Sequence, residues 1–270
     1  MEKPNIGKHV FEVVRKEFVT PHYIRVWLRG DGAKDFQQCT PGANNKIFIP
    51  PSGTKEVQFA TFDAEKGAWV MPDEHIKPLV RTYTHRAIDA ARNEIVVDFI
   101  NHGENGPASS WALKAEVSDQ LGVAMKLRKT VLCPDVDWYF LIGDATAIPV
   151  LSCILESLPK EARGHCLIEV ATPEDIHPEV KHDGFTIQWL YNEHPEDGST
   201  LAVEARKVEL PPTLSKFAYV ACEYRSVKDL RHYFREELRW NNQDFYAFSY
   251  WKAGVAEDKS AQERREEKQV

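Results

Sequence analysis

The 270-residue sequence contains no apolar run near the ~20 residues that a membrane-spanning helix requires. Its first residues, MEKPNIGKHVFEVV, have no long apolar stretch and no small-residue cleavage site, so a secretory signal is not expected. Cysteine is scarce. Cys39, Cys133, Cys153, Cys166 and Cys222 are odd in number, widely spaced and never in a CxxC pair. That spacing argues against a zinc ribbon, an iron–sulfur cluster or a disulfide scaffold, and favours free thiols in a reducing compartment. Positive charge is not in excess: 34 Lys and Arg stand against 41 Asp and Glu, a net charge of −7. Wholesale phosphate neutralisation needs a basic face, so no nucleic-acid partner is expected, although a local basic pocket is compatible with this balance. The ten histidines are scattered, and His177 and His182 flank Pro178 as in a loop. No protein-ligated metal is expected. Repeats are absent too, and 43% apolar with 28% charged residues excludes disorder, collagen and coiled coil. What remains is a cytoplasmic globular protein of one large or two ordinary domains.

The two halves differ in texture. From about residue 8 to 125, the runs VFEVVRKEFV, YIRVWLRG, KIFIP, VRTYTHRAI and EIVVDFIN are rich in β-branched and aromatic residues. Gly, Pro, Asn and Asp separate them at the spacing of an antiparallel barrel. Only residues 108–115 look helical, opened by Gly106-Pro107. After about residue 135, buried-type strands (WYFLIGD, HCLIEVAT, FTIQWLYNE, KFAYVACE and DFYAFSYW) alternate with helical patterns. Residues 226–240 form the best amphipathic helix, with Leu230, Tyr233, Phe234 and Leu238 on one stripe. This alternation predicts a doubly wound parallel sheet. The predicted organisation is thus an antiparallel Greek-key β-barrel over 1–130 and an α/β domain over 131–270. The mixed-charge tail 257–270 is expected to be a solvated, fraying helix.

Three segments could carry chemistry. In Arg81-Thr82-Tyr83-Thr84-His85-Arg86, strand alternation puts Arg81, Tyr83 and His85 on one side and Thr82, Thr84 and Arg86 on the other. Such a set suits a flavin dinucleotide: a guanidinium for the diphosphate, a ring for the isoalloxazine, a hydroxyl for a ring heteroatom. An exposed strand of alternating polar residues would look the same. From Asp98 to Trp111 a strand passes to a helix through His102, Gly103, Gly106, Pro107, Ala108 and Ser109. Backbone N–H groups there can meet phosphate oxygens, with Gly106 allowing close approach. Gly143-Asp144-Ala145-Thr146 ends the first α/β strand, and is either a polar ligand site aided by Thr146 or a simple helix cap.

In this order, Arg-x-Tyr-Thr-x-Arg, Asp-Phe-x-x-His-Gly-x-x-Gly-Pro-Ala-Ser-x-Trp-Ala, Gly-Asp-x-Thr-Ala-x-Pro and Tyr-Trp-Lys-x-Gly resemble the siderophore-interacting protein family. These are flavin-dependent ferric-siderophore reductases of the ferredoxin-reductase-like superfamily. The resemblance runs from about residue 8 to 255. It implies non-covalent FAD in the cleft between barrel and α/β domain, bound by Arg81, Tyr83 and Thr84, with Thr82 in the same run. Asp98, His102, Gly106, Pro107, Ala108 and Ser109 would hold the remainder, and Thr146 would reach from the second domain. It further implies NAD(P)H or a ferredoxin as electron donor, a ferric siderophore as acceptor and a cytoplasmic role in iron release; a monomer is expected. Two stretches depart from the family pattern: Ala124-Met125-Lys126-Leu127-Arg128 replaces Gly-Pro-Arg-Gly, and Cys222-Glu223-Tyr224-Arg225 replaces Gly-Glu with small residues. Donor and siderophore class stay open there.

A hydride donor delivers two electrons and Fe(III) takes one, so flavin carries the chemistry and no catalytic side chain is required. A multiply anionic chelate approaching an acidic protein needs a local basic cluster. Lys46, which matches a basic family position, Arg239 and Lys252 are the candidates; ordinary surface cations are the alternative. Two rival functions remain: a general NAD(P)H:flavin or ferredoxin-type reductase, and a non-enzymatic siderophore-binding module.

Overall fold

A computed structural model describes residues 5–104 and 106–255; the charged tail 257–270 lies outside them. The chain divides into two compact units, Met1–Thr130 and Val131–Val270. In the first, β1 (Ile6–Thr20), β2 (Tyr23–Arg29), β3 (Asn44–Ile49), β4 (Thr61–Asp63), β5 (Ala68–Val70), β6 (Leu79–Thr84), β7 (Ala87–Asp89) and β8 (Glu94–Ile100) precede helix α1 (Pro107–Lys114) and β9 (Gln120–Lys126). Seven strands pair antiparallel in the order β6-β3-β9-β1-β2-β8-β7. The two edge strands, β6 and β7, are separated in sequence only by His85 and Arg86. A link that short forces the edges together, so the sheet curls into a half-barrel. Its inward positions, among them Phe11, Val26, Ile47, Val97, Phe99 and Val123, form one core, which Phe36 and the small face of α1 (Ala108, Ala112) complete. Strands β4 and β5 form a separate two-stranded hairpin.

The five strand runs read from the sequence all carry strands. It left β4 and β5 unmarked, because three residues are too few to show a period of two, and it merged β6 and β7 into the one run VRTYTHRAI. It also left β9 unmarked, where Gly122 and Ala124 break the apolar alternation.

The second unit contains β10 (Trp138–Asp144), α2 (Ile148–Ser157), β11 (Arg163–Val170), β12 (Phe185–Tyr191), α3 (Leu201–Ala205), β13 (Lys216–Glu223), α4 (Tyr224–His232) and β14 (Phe245–Trp251). All five strands are parallel, ordered β12-β11-β10-β13-β14. The order reverses at β10, the switch point of a doubly wound sheet. His177 and His182 lie in the loop between β11 and β12. Gly143 is required where β10 turns into its helix: an added Cβ would stand 2.5 Å from the Ala147 Cβ and 3.0 Å from the Ala221 carbonyl. The predicted 226–240 helix begins earlier, at Tyr224, because the Glu223 carboxylate accepts from the Arg225 N–H and caps it. Its last turn widens to a π turn over Tyr233–Glu237. That widening lets the consecutive Tyr233 and Phe234 both enter the core, beside Leu230, Val220 and Phe140. All five cysteines are free thiols, and four of them are buried.

Candidate functional site

Strand β6 sits at a sheet edge and alternates as its sequence predicts. Cross-strand pairing sets Tyr83 opposite Asn45, Arg81 opposite Ile47, and Thr82 opposite Lys46. Ile47 belongs to the core, so Arg81 and Tyr83 share the inward side and Thr82 the outward side. The half-buried Tyr83 ring rests on Phe99, with centroids 4.8 Å apart, and Phe99 in turn rests on Trp111 at 5.5 Å. Arg81 is half-buried and its Nη1 donates to the Val80 carbonyl at 2.8 Å. The Lys46 ammonium donates to the Thr82 hydroxyl, while Thr84 is buried. At the end of this strand His85 is fully buried, and neither ring nitrogen has a hydrogen-bond partner among the described residues. Burial pushes its pKa down to about 4. The buried Asn45 amide is equally unpartnered. Sequence alternation placed His85 on the inward side, but nothing local marked it as unpaired.

Asp98 departs from its expected role. Its side chain is completely buried, and Tyr23 Oη donates to Oδ2 at 2.6 Å. Arg25 Nε donates to Oδ1 at 2.8 Å, Arg25 Nη2 donates to Oδ2 at 2.9 Å, and Arg86 Nε stands 3.7 Å away. Both carboxylate oxygens are therefore committed to the barrel wall, and Asp98 is a structural anchor rather than a direct cofactor ligand. The Ser109 hydroxyl is engaged within its own loop. It donates to the Gly103 carbonyl at 2.7 Å and accepts the His102 N–H at 3.1 Å, so it fastens the loop shut instead of facing a phosphate.

That fastening shapes a cradle. Gly103 takes φ +83°, open only to glycine at little cost. At Gly106 an added Cβ would fall 2.2 Å from the exposed His102 ring. Gly106 caps α1 without a side chain, Pro107 follows with no N–H to satisfy, and the first turn carries no acid. Among the described residues the early N–H groups of α1 thus meet no capping side chain, and no acid in its first turn offsets the positive end of the helix. This is the donor set a diphosphate takes, so the residues present fit a flavin dinucleotide.

The second unit's carboxyl edge is acidic. Asp144, Glu169 and Glu223 lie at or one residue before the ends of β10, β11 and β13, all buried. Asp144 Oδ1 accepts from the Thr146 N–H at 2.9 Å and from its hydroxyl at 2.5 Å, and Oδ2 accepts from Trp251 Nε1 at 2.8 Å. Burial pushes Asp144 up to about 6 against the pull of those hydrogen bonds. Glu169 accepts from Asn192 at 3.1 Å and from Ser199 at 2.8 Å. Of the two readings open for Gly143-Asp144-Ala145-Thr146, the cap is the one formed, and the Thr146 hydroxyl is engaged by Asp144. The signal for this edge was present in sequence: three apolar strands each close on a carboxylate.

The structure does not bring Arg239 and Lys252 together. Lys252 follows β14 at the carboxyl edge, with its ammonium 4.6 Å from the Tyr224 ring centroid. Helix α4 starts at that edge and runs back, so Arg239, beyond its end, lies at the amino edge. A seven-residue strand separates the two edges by roughly 20 Å. Arg239 also faces Glu236 at 3.4 Å.

Comparison with known proteins decides the family. Residues 12–125 match the siderophore-interacting FAD-binding domain and residues 136–254 the siderophore-interacting protein domain. The ferric vibriobactin reductase ViuB of Vibrio cholerae is 33% identical over 264 residues, covering 97% of this chain and 96% of that one. The chain belongs to the siderophore-interacting protein family. The NADPH-dependent ferric-chelate reductase of Escherichia coli is 29% identical over 245 residues, 89% of this chain and 91% of that one. Among solved structures, the siderophore-interacting protein SipS of Aeromonas hydrophila aligns with TM-score 0.82 and 26% identity, over 97% of this chain and 98% of its own. The fold alone is shared with a ferredoxin NADP+ reductase of Neisseria gonorrhoeae, solved with FAD and NADP, at TM-score 0.58 and 13% identity, covering 90% and 99%.

Proposed function

We propose that this chain reduces the iron of ferric siderophores in the cytoplasm, using FAD and a nicotinamide donor. One observation carries the flavin part: a helix N-terminus without a capping side chain, cradled by Gly103 and Gly106, in the same half-barrel as Arg81 and Tyr83. FAD held there would supply the conversion between two-electron and one-electron transfer that Fe(III) requires. The protein's own task is placement. Arg81 brings a guanidinium to the diphosphate, and Tyr83, propped on Phe99, offers a fixed ring to the isoalloxazine. The α1 N-terminus takes the remaining phosphate charge. Lys46, on the outward side of the same strand pair, attracts the anionic chelate. Five free cysteines support a reducing compartment.

Anaerobic titration with NADH or NADPH is expected to bleach the flavin, and ferric chelates are expected to restore its colour. Recovery with free flavin or quinones alone would instead support a general flavin reductase. A protein that purifies colourless would support a binding module. Removing the guanidinium in Arg81→Ala is expected to weaken FAD retention by roughly 10- to 100-fold, the worth of a charge-assisted hydrogen bond. Flavin content after gel filtration measures it, and a fully yellow variant would move the diphosphate elsewhere.

A further inference from the structure

One face of the second unit's sheet is covered unevenly. Strand register aligns Phe140 with His165 and His165 with Thr186, and sets Gln188 beside Leu167. Phe140 and Leu167 belong to the core beneath α3 and α4, so His165, Thr186 and Gln188 share that face. Helix α3, which packs on β10 and β11, spans only about 8 Å, whereas β12 spans about 23 Å. A helix that short leaves the amino half of this face open beside β12. The result is a cavity of about 350 Å³, lined by Trp138, His165, Thr186, Gln188, Glu204 and Glu209 among others. It lies toward the amino ends of the strands, away from the carboxyl edge where Asp144, Glu169 and Glu223 stand.

The lining has a definite chemistry. Trp138 and His165 both lean on Phe140, with ring centroids 5.6 and 5.9 Å from it, so the aromatic wall is held from behind. Burial holds the His165 pKa below its usual value, against the pull of Gln188, and keeps the ring uncharged at neutral pH. His165 Nε2 lies 3.1 Å from Gln188 Oε1. That oxygen only accepts, so Nε2 carries the proton and Nδ1 is left as an acceptor. The Lys207 ammonium stands 2.7 Å from Glu204 Oε1 and offsets its charge. Glu209, exposed at the rim, has no ion-pair partner among the described residues. The cavity therefore sets one unbalanced carboxylate beside an indole ring, with no unbalanced cation.

We propose that this cavity is a ligand site for a small aromatic amine, bound as its cation, with the ring against Trp138 and the ammonium at Glu209. A flat ring gains most from a propped indole wall. An ammonium has donors for the Glu209 carboxylate, the Thr186 hydroxyl and the His165 Nδ1, all of which accept. A phosphate or carboxylate on the ligand would instead meet Glu204 and Glu209, so nucleotides and organic acids are disfavoured. The volume lies at the small end of ligand pockets and admits roughly a dozen non-hydrogen atoms.

Calorimetry on the FAD-loaded full chain compares molecules of one shape and different charge: tryptamine, neutral tryptophol and anionic indole-3-propionate. Tryptamine is expected to bind roughly 5- to 20-fold more tightly than tryptophol, and indole-3-propionate more weakly than either. Glu209→Gln should bring tryptamine to within about twofold of tryptophol and leave tryptophol unchanged. Trp138→Ala should weaken both, and Trp138→Phe should keep their ranking, which holds the test open if the alanine variant fails to fold. Shifts of the His165 ring protons on titration locate the ligand. Absence of tryptamine binding, equal affinity for all three molecules, or parental tryptamine affinity in Glu209→Gln overturns the proposal. A flavin spectrum that responds to tryptamine while His165 does not places the amine at the cofactor, and overturns it too. Hexylammonium bound as tightly as tryptamine overturns the ring contact.

Discussion

Replacing Asp98 by alanine is expected to destabilise the first unit by about 3–5 kcal/mol, the usual cost of stripping one partner from a buried charge cluster. Arg25 and Arg86 are 7% and 6% exposed, so neither guanidinium can turn to water when the carboxylate is lost. Tyr23 would lose its acceptor as well. The ion pair need not be a large net source of stability for this to hold, because the penalty comes from the charges left behind. Urea unfolding of flavin-free protein measures the effect. The flavin-free form matters, since a residue that merely held cofactor would leave it unchanged. Unaltered stability of flavin-free Asp98→Ala, with cofactor lost, would return this carboxylate to the binding site.

Acidification is expected to push the two units in opposite directions. In the first, His85 titrates at about 4 when folded and near 6.5 otherwise, because burial disfavours its charged form. Below 6.5 the unfolded chain binds a proton that the native state refuses, so stability is lost as pH falls from about 6.5 to 4. The gap corresponds to about 3 kcal/mol. In the second unit, Asp144 titrates at about 6 when folded and 3.8 otherwise, again through burial. There the native state takes up the proton first. Its stabilising contribution is full below pH 4 and disappears as pH rises through 6, again by about 3 kcal/mol. Hydrogen exchange resolves the units separately. Between pH 6.5 and 4, protection should fall around β6 and rise around β10. His85→Leu should remove the first trend and Asp144→Asn the second, while parallel trends in both units would contradict the assignment.

Much of the fold was legible because it is written in short-range pattern. Alternation in YIRVWLRG and EIVVDFIN, and unbroken apolar runs in WYFLIGD and KFAYVACE, mark strands whatever their neighbours are. The glycines at 103 and 106 were legible for the same reason, being local demands of one loop. Side-chain partners are another matter. Asp98 looked like a ligand because the carboxylate sits in a motif, and only the pairing of β8 with β2 shows Tyr23 and Arg25 beside it. Arg239 and Lys252 were candidates for one basic cluster, and the reversal of α4 against the sheet sets them at opposite edges.

By itself, then, the amino-acid order determined a β-rich half followed by an α/β half, the Arg81–Tyr83 strand, and the glycine loop before α1. Periodicity and backbone preference act within a few residues and survive without knowledge of the rest. Tertiary structure alone decided which polar groups are already satisfied. It buried Asp98 and Ser109 against partners, capped Thr146 with Asp144, left His85 alone in the barrel, and opened a cavity between β12 and the short α3. The physical reason is range: a hydrogen bond or charge is met by whatever the pairing of distant strands brings within about 3 Å, and that pairing is not a local property of the chain.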